Sequence, residues 1–208
     1  MSYPAPPWKL QGQAVQTLHL LDIDRIRSQV PPELGIVPVL PGKTLGGVYL
    51  ATYTAGSSLE YHELIVVAAI VARRGKIGPW ISHIYVDNMD SLAGGREIWG
   101  LPKELAEFTW NHQTSRIRVT QGETTLCQLT HEPPFSLWSQ PIAAISFGKQ
   151  AQHLLWFVAQ AQLHLAWLKA KVQIGPDSPF SDLGLGQPWL AFYGTELDLT
   201  VNPPQTLT

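Results

Sequence analysis

Three segments within residues 44–88 constrain the fold most: TLGGVYLATYT at 44–54, LEYHELIVVAAIVAR at 59–73 and WISHIYVDN at 80–88. Each is rich in β-branched and aromatic residues and bounded by Gly, Pro, Ser or Asn, the pattern of strands joined by tight connections. Arg74-Gly75-Lys76-Ile77-Gly78-Pro79 reads as the turn between the second and the third. ELAEFTW at 104–110, SRIRVTQ at 115–121 and TTLCQLTH at 124–131 follow at the spacing of an antiparallel meander, with Gly122 and Glu123 at one of its turns.

Residues 153–174, HLLWFVAQAQLHLAWLKAKVQI, are long enough for a helix, but Leu163, Leu165, Trp167, Lys169 and Lys171 alternate, so the whole stretch reads as strand. WLAFYGTELDLTV at 189–201 adds a last strand before Pro203 and Pro204. LDIDRIRSQV at 21–30, with an Asp to cap it and Pro31-Pro32 to stop it, reads as one short helix. Helix signals elsewhere are weak. The expectation is a mainly β (or α+β) chain, an antiparallel closed barrel with a few short flanking helices. A barrel of about eight strands is just wide enough inside for one small ligand.

The chain of 208 residues, 45% hydrophobic, fits a single domain over 1–208 with a large core. Its charged fraction, 14%, lies well below the roughly 25% usual for soluble domains. Eight Trp, six Tyr and six Phe then argue for an enclosed apolar space or for subunits that pack together. A net charge of -2 without any basic run speaks against nucleic acid or an anionic membrane as partner. Cys127 is the single cysteine, so neither an intrachain disulfide nor a cysteine zinc motif can form, and it reads as buried packing. The opening MSYPAPPWKLQG lacks the charged and apolar regions of a signal peptide. The longest apolar run, LIVVAAIVA at 64–72, is about half of the ~20 residues a membrane span needs. A cytoplasmic location is expected.

Several chemistries fail on spacing. His62-Glu63 is not followed by a second histidine at helical distance, and the seven histidines are scattered without ligand spacing. Gly94-Gly95 does not continue into a dinucleotide or phosphate loop, and no G-x-S-x-G elbow is present. Metal catalysis, nucleotide cofactors and serine hydrolysis therefore have no support in the sequence.

What remains is GGREIWGLPKELAEF at 94–108, in which Gly95-Arg96-Glu97 is followed, across four residues, by Pro102-Lys103. With PAPPWKLQG at 4–12, PGKTLGGVYLATY at 41–53, SLEYHEL at 58–64 and ISHIYVDN at 81–88, this stretch resembles the acetoacetate decarboxylase family. That resemblance implies a cone-like β-barrel, oligomeric and free of cofactors. It also implies a lysine that attacks a ketone, forms an iminium, and withdraws the electrons released when carbon dioxide leaves or a C–C bond breaks. By resemblance Lys103 is the nucleophile and Glu63 an active-site carboxylate. The strand pattern puts Glu63 with Leu59, Tyr61, Ile65 and Val67, an apolar face on which a carboxylate without a role would be costly.

The departures carry information too. The decarboxylases have two consecutive lysines at this point, whereas Glu104 follows Lys103 here. A cation about 5 Å from an amine favours its neutral form by about 3 kcal/mol at a dielectric of about 20, and an anion opposes it by as much. Alternation groups Glu104 with Ala106, Phe108 and Trp110, so the side to which it points stays open. The family's N-terminal arginine falls at or beside Gln13, and one of its two glutamates near Val48. Arg96 and Glu97 form either a structural ion pair or a carboxylate-binding pair. Tyr61, His83, Tyr85, Trp99 and Glu104 are candidate pocket residues, with plain core as the alternative for the aromatic ones. The expected substrate is a small oxo acid or ketone. The alternatives are aldol or dehydration chemistry through the same iminium, or a barrel that binds a small apolar ligand without reaction.

Overall fold

The computed structural model describes residues 3–111 and 113–207. Met1 and Ser2 of the N-terminal stretch, His112 and Thr208 therefore lie outside the described residues. The strands are β1 (Trp8–Asp22), β2 (Gly35–Ile36), β3 (Lys43–Tyr53), β4 (Tyr61–Arg73), β5 (Lys76–Val86), β6 (Lys103–Leu105) and β7 (Glu107–Asn111). They continue with β8 (Arg116–Gln121), β9 (Thr124–His131), β10 (Phe135–Gln150), β11 (His153–Trp167), β12 (Ala170–Ile174), β13 (Leu190–Val201) and β14 (Gln205–Thr206). Among the described residues two α-helices interrupt them, α1 (Ile23–Ile26) and α2 (Met89–Trp99). None of the described helices is long and apolar enough to cross a membrane.

The chain is mainly β, arranged as a ten-stranded and a four-stranded sheet. In the larger sheet β4 pairs with β3 on one edge and β5 on the other, so the pairings run β4-β3-β1-β13-β11-β10-β5 and return to β4. Neighbours are antiparallel except where β5 meets β10 at Phe147↔Trp80 and where β6 runs parallel beside Ile84–Val86. The smaller sheet, β12-β9-β8-β7, covers part of the outside of this ring. Between the two lies a core containing Val48, Leu50, Val66, Tyr85, Val119, Cys127, Leu129 and Phe180. Cys127 is fully buried there, and burial pushes its thiol up to about 12, which leaves it inert at neutral pH.

Sequence and structure differ at several places. The stretch at 153–174 is two strands, because at Leu168–Lys169 the chain leaves the ring, and β12 pairs with β9 in the other sheet. The turn after β4 takes only Arg74 and Gly75, both at positive φ, while Lys76–Pro79 already belong to β5. The sequence reading missed β10, which carries Pro141. That strand pairs along its length with β11 but with β5 only at Phe147, leaving an edge that tolerates a residue with no N–H. It also missed α2. Asn88 caps this helix, its side chain accepting from the N–H groups of Asp90 and Ser91 at 2.9 and 3.0 Å, and Gly100 ends it at φ 63°. At the other helix Asp22 occupies the N-cap position, but its carboxylate pairs with Lys43 at 2.8 Å and does not cap.

His19 of β1 is 2% exposed, with Nε2 2.9 Å from Thr17 Oγ1, and burial pulls its pKa down to about 4. In the unfolded chain the ring takes a proton near pH ~6.5, but in the folded one only near 4. The stability carried by the neutral ring is therefore complete above about pH 6.5 and is lost as the pH falls towards 4. Urea unfolding at pH 7 and pH 4.5 should show most of a loss of about 3 kcal/mol from this group, and His19→Gln should remove that share.

Candidate active site

The ring encloses a cavity of about 520 Å³. Its lining alternates along the strands: Tyr61, Glu63, Ile65 and Val67 from β4, Tyr49 and Tyr53 from β3, and Leu163 and Leu165 from β11. Lys103 and Glu63 are the charged residues among those that line it.

Lys103 enters from β6, which lies parallel to the end of β5 with Lys103 opposite Ile84. Its backbone is fixed from two sides. Gly100 at positive φ turns the chain out of α2, and Arg96 Nε donates to the Lys103 carbonyl at 2.7 Å. The side chain then runs beneath the helix, where Gly95 makes room for it. A Cβ on Gly95 would stand 2.4 Å from Lys103 Cδ and 2.6 Å from Cε. Neighbouring Gly94 does the same for the indole of Trp8, whose Cζ2 a Cβ would meet at 2.6 Å. The two glycines are poor helix formers in the middle of a helix, and close packing against the lysine and the tryptophan explains them.

At the end of this path Nζ donates to Glu63 Oε1 and to Ser91 Oγ, both at 2.9 Å. Lys103 is 3% and Glu63 4% exposed, so this is a buried ion pair. The faces of Tyr61 and Trp8 lie 5.0 and 5.8 Å from Nζ. Glu63 accepts through its other oxygen from Tyr53 Oη at 3.0 Å, and Tyr53 Oη is 3.3 Å from Tyr49 Oη. Burial first, and the Glu63 charge with it, holds the phenols of Tyr53 and Tyr61 well above their ordinary range. A hydroxyl chain thus links the carboxylate to Tyr49 on the cavity wall. Proton transfer needs contacts of this length.

The remaining candidates divide. Trp99 lines the cavity and donates through Nε1 to the Asn202 carbonyl at 2.8 Å. Tyr61 lines it too. His83 and Tyr85 do not, which corrects the sequence reading. A bulge in β5, where Val66 pairs with His83 but Val67 with Ile81, reverses the alternation, so Ile81 and Ile84 face the cavity. Tyr85 is buried in the core between the sheets and His83 packs against Phe180. Arg96 and Glu97 do not pair with each other. Arg96 is exposed and holds the Lys103 carbonyl, while Glu97 accepts from Tyr3 Oη.

Glu104 is exposed and accepts from Gln121 Nε2 at 3.0 Å. The strand breaks at Ala106 between β6 and β7, so alternation with Phe108 and Trp110 does not carry across. Glu104→Gln should accordingly change the reactivity of Lys103 by less than about twofold, read as the rate of ketone adduct formation. Gln13 accepts from Tyr193 Oη at 2.6 Å and is not part of the lining, where Ala14 and Gln16 represent β1. Val48 faces the core outside the ring, and the residue beside it on the cavity is Tyr49. Sequence reasoning missed Ser91, because the helix that carries it was not foreseen.

The family model for acetoacetate decarboxylase (ADC) matches residues 1–161. The chain belongs to the acetoacetate decarboxylase family. It is 30% identical over 121 residues to an acetoacetate decarboxylase of Burkholderia vietnamiensis, a match covering 57% of this chain and 47% of that protein. It is 32% identical over 109 residues to the protein NEOXANTHIN-DEFICIENT 1 of Solanum lycopersicum, covering 52% of this chain and 37% of that one. The matches thus span less than half the length of these relatives. Among solved structures it resembles acetoacetate decarboxylase from Legionella pneumophila, with a TM-score of 0.80 at 16% identity, covering 100% of this chain and 90% of that one. It also resembles the enduracididine biosynthesis enzyme MppR complexed with pyruvate, with a TM-score of 0.68 at 15% identity, covering 99% and 91%. Proteins similar to this chain in sequence or in fold thus carry different names.

Proposed function

We propose that the ring acts as a closed, cone-like barrel around a reaction chamber, and that the chain is a lyase-type enzyme working through an iminium between Lys103 and a carbonyl substrate. The observation that carries this is the buried Nζ between Glu63 and Ser91 on the wall of a cavity large enough for a ligand. Starting from the ammonium, Nζ passes one proton to Glu63 and attacks the carbonyl carbon. Glu63 returns that proton to the oxygen, giving a carbinolamine whose cationic nitrogen still carries two hydrogens. Glu63 then takes a second proton from that nitrogen and hands it to the hydroxyl, which leaves as water, and a cationic iminium with one N–H remains. The same carboxylate then stands where it can remove a proton from the carbon next to the iminium, the electron pair forming an enamine and neutralising the nitrogen.

A second reading is a barrel that binds an apolar ligand without reaction. It is favoured by the closed Lys103–Glu63 pair and by the lack of the second lysine that the decarboxylases carry at the position of Glu104. Proton exchange separates the two, because an iminium that equilibrates with its enamine labels the α-carbon of a ketone. Methyl ketones incubated with the protein in heavy water should gain deuterium at the α-carbon, and Lys103→Met should abolish the gain. No incorporation above the protein-free rate would leave the binding reading.

A further inference from the structure

We infer that the cavity takes an uncharged ketone or aldehyde with a long apolar body, about ten or more carbons, and not a short oxo acid. The reaction part of this inference rests on the iminium reading above; the ligand class rests on the cavity alone. Three observations carry it.

The first is volume. A four-carbon oxo acid has about seven non-hydrogen atoms, and even at the ~30 Å³ that a water molecule occupies in the liquid it would take up about 210 Å³. That is well under half of the 520 Å³ enclosed. Cavities of this size normally bury a ligand several times larger. The second is charge. Among the lining residues Lys103 supplies the positive charge, and Glu63 already neutralises it at 2.9 Å. A substrate carboxylate would enter an apolar chamber beside a second carboxylate, with no cation left to pair with it. At or beside the position of the family arginine, Gln13 is bonded to Tyr193 away from the lining and Ala14 lines the cavity, and neither carries a charge.

The third observation is the course of the apolar wall. From Leu163, which packs with Tyr53 and Tyr61 beside the Lys103–Glu63 pair, the wall extends along β11 to Leu165 and to Ala161 and Ala159, with Ile142 opposite Ala161 and Phe192 also in the lining. Ile142 is 42% exposed, so the chamber meets solvent there. Phe192 in turn packs on Trp167, with ring centroids 4.7 Å apart, and Trp167 on Trp138 at 5.6 Å. The apolar surface therefore extends from the polar head site to an aromatic collar at the protein surface. A ligand with a carbonyl at one end and a hydrocarbon body matches it along its length. With no carboxylate to lose, the iminium would serve proton transfer at the α-carbon or the making and breaking of a C–C bond, not release of carbon dioxide.

The test compares 2-undecanone, 2-butanone and acetoacetate by two readouts, quenching of tryptophan fluorescence for binding and borohydride trapping for the iminium. The wild type, Lys103→Met and Ala161→Trp are measured at neutral pH. Lys103→Met serves as the control for trapping. 2-Undecanone should bind the wild type at least 100-fold more tightly than either short compound, since the body supplies the affinity. Ala161→Trp, which fills the chamber, should weaken it at least tenfold. Tight binding of 2-undecanone without trapping on the folded wild type would uphold the ligand class and overturn the iminium reading. Trapping and binding of acetoacetate at least as good as those of 2-undecanone would uphold the iminium reading and overturn this inference.

Discussion

Gly95→Ala is expected to leave the protein folded and to slow iminium formation about 100-fold. The new methyl would fall 2.4 Å from Lys103 Cδ, and the atoms in its way belong to a flexible side chain, so the lysine yields and not the backbone. Displacement of Nζ by about 1 Å from its partners is of the size that costs about 10²-fold in rate. The same change favours the helix by about 1 kcal/mol, which offsets the local crowding. Urea unfolding within about 1 kcal/mol of the wild type, together with the loss in trapping rate, would separate positioning of the lysine from stability. Trapping at the wild-type rate would show that the path beneath α2 is not what aims Nζ.

The second large effect is on stability. Lys103→Met leaves the Glu63 carboxylate 4% exposed with its cation gone, and Glu63→Leu leaves the ammonium in the same position. Breaking a buried pair from one side typically costs about 3–5 kcal/mol, whereas replacing both members with apolar groups is often neutral or stabilising. Each single variant should therefore lose about 3 kcal/mol or more in urea unfolding, and the double variant should recover most of it. All three should fail to trap a ketone. Additive losses in the double variant would mean that the two groups are not coupled as the 2.9 Å contact implies.

The strands that position the site were legible where alternation and turn residues agree, as in β3, β4, β8, β9 and β13. The face of Glu63 was legible too, since Tyr61, Glu63, Ile65 and Val67 line the cavity at a period of two. What failed is physical. His83 and Tyr85 pair with Val66 and Leu64, which face the other layer, and the bulge in β5 turns Ile81 to the cavity. The break at Ala106 removed the strand continuity on which the reading of Glu104 depended. The helix α2 hid behind Gly94 and Gly95, which lower helix propensity because two large side chains must pass beneath them. Its ends were nevertheless marked, by Asn88 ahead of Asp90 and by Gly100. Reading those caps would have placed Ser91 one turn into a helix and within reach of the site. The split at Leu168–Lys169 left no local mark, because alternation continues while the partner strand changes from one sheet to the other.

The claim on which the rest depends is that Lys103 is the reactive amine. It is tested most directly by borohydride reduction in the presence of 2-undecanone and, separately, acetoacetate at neutral pH, followed by peptide mapping of the adduct. The account predicts a reduced adduct on the peptide containing Lys103, absent from Lys103→Met. Adducts confined to exposed lysines such as Lys43 and Lys169, or none on folded protein with either compound, would contradict it.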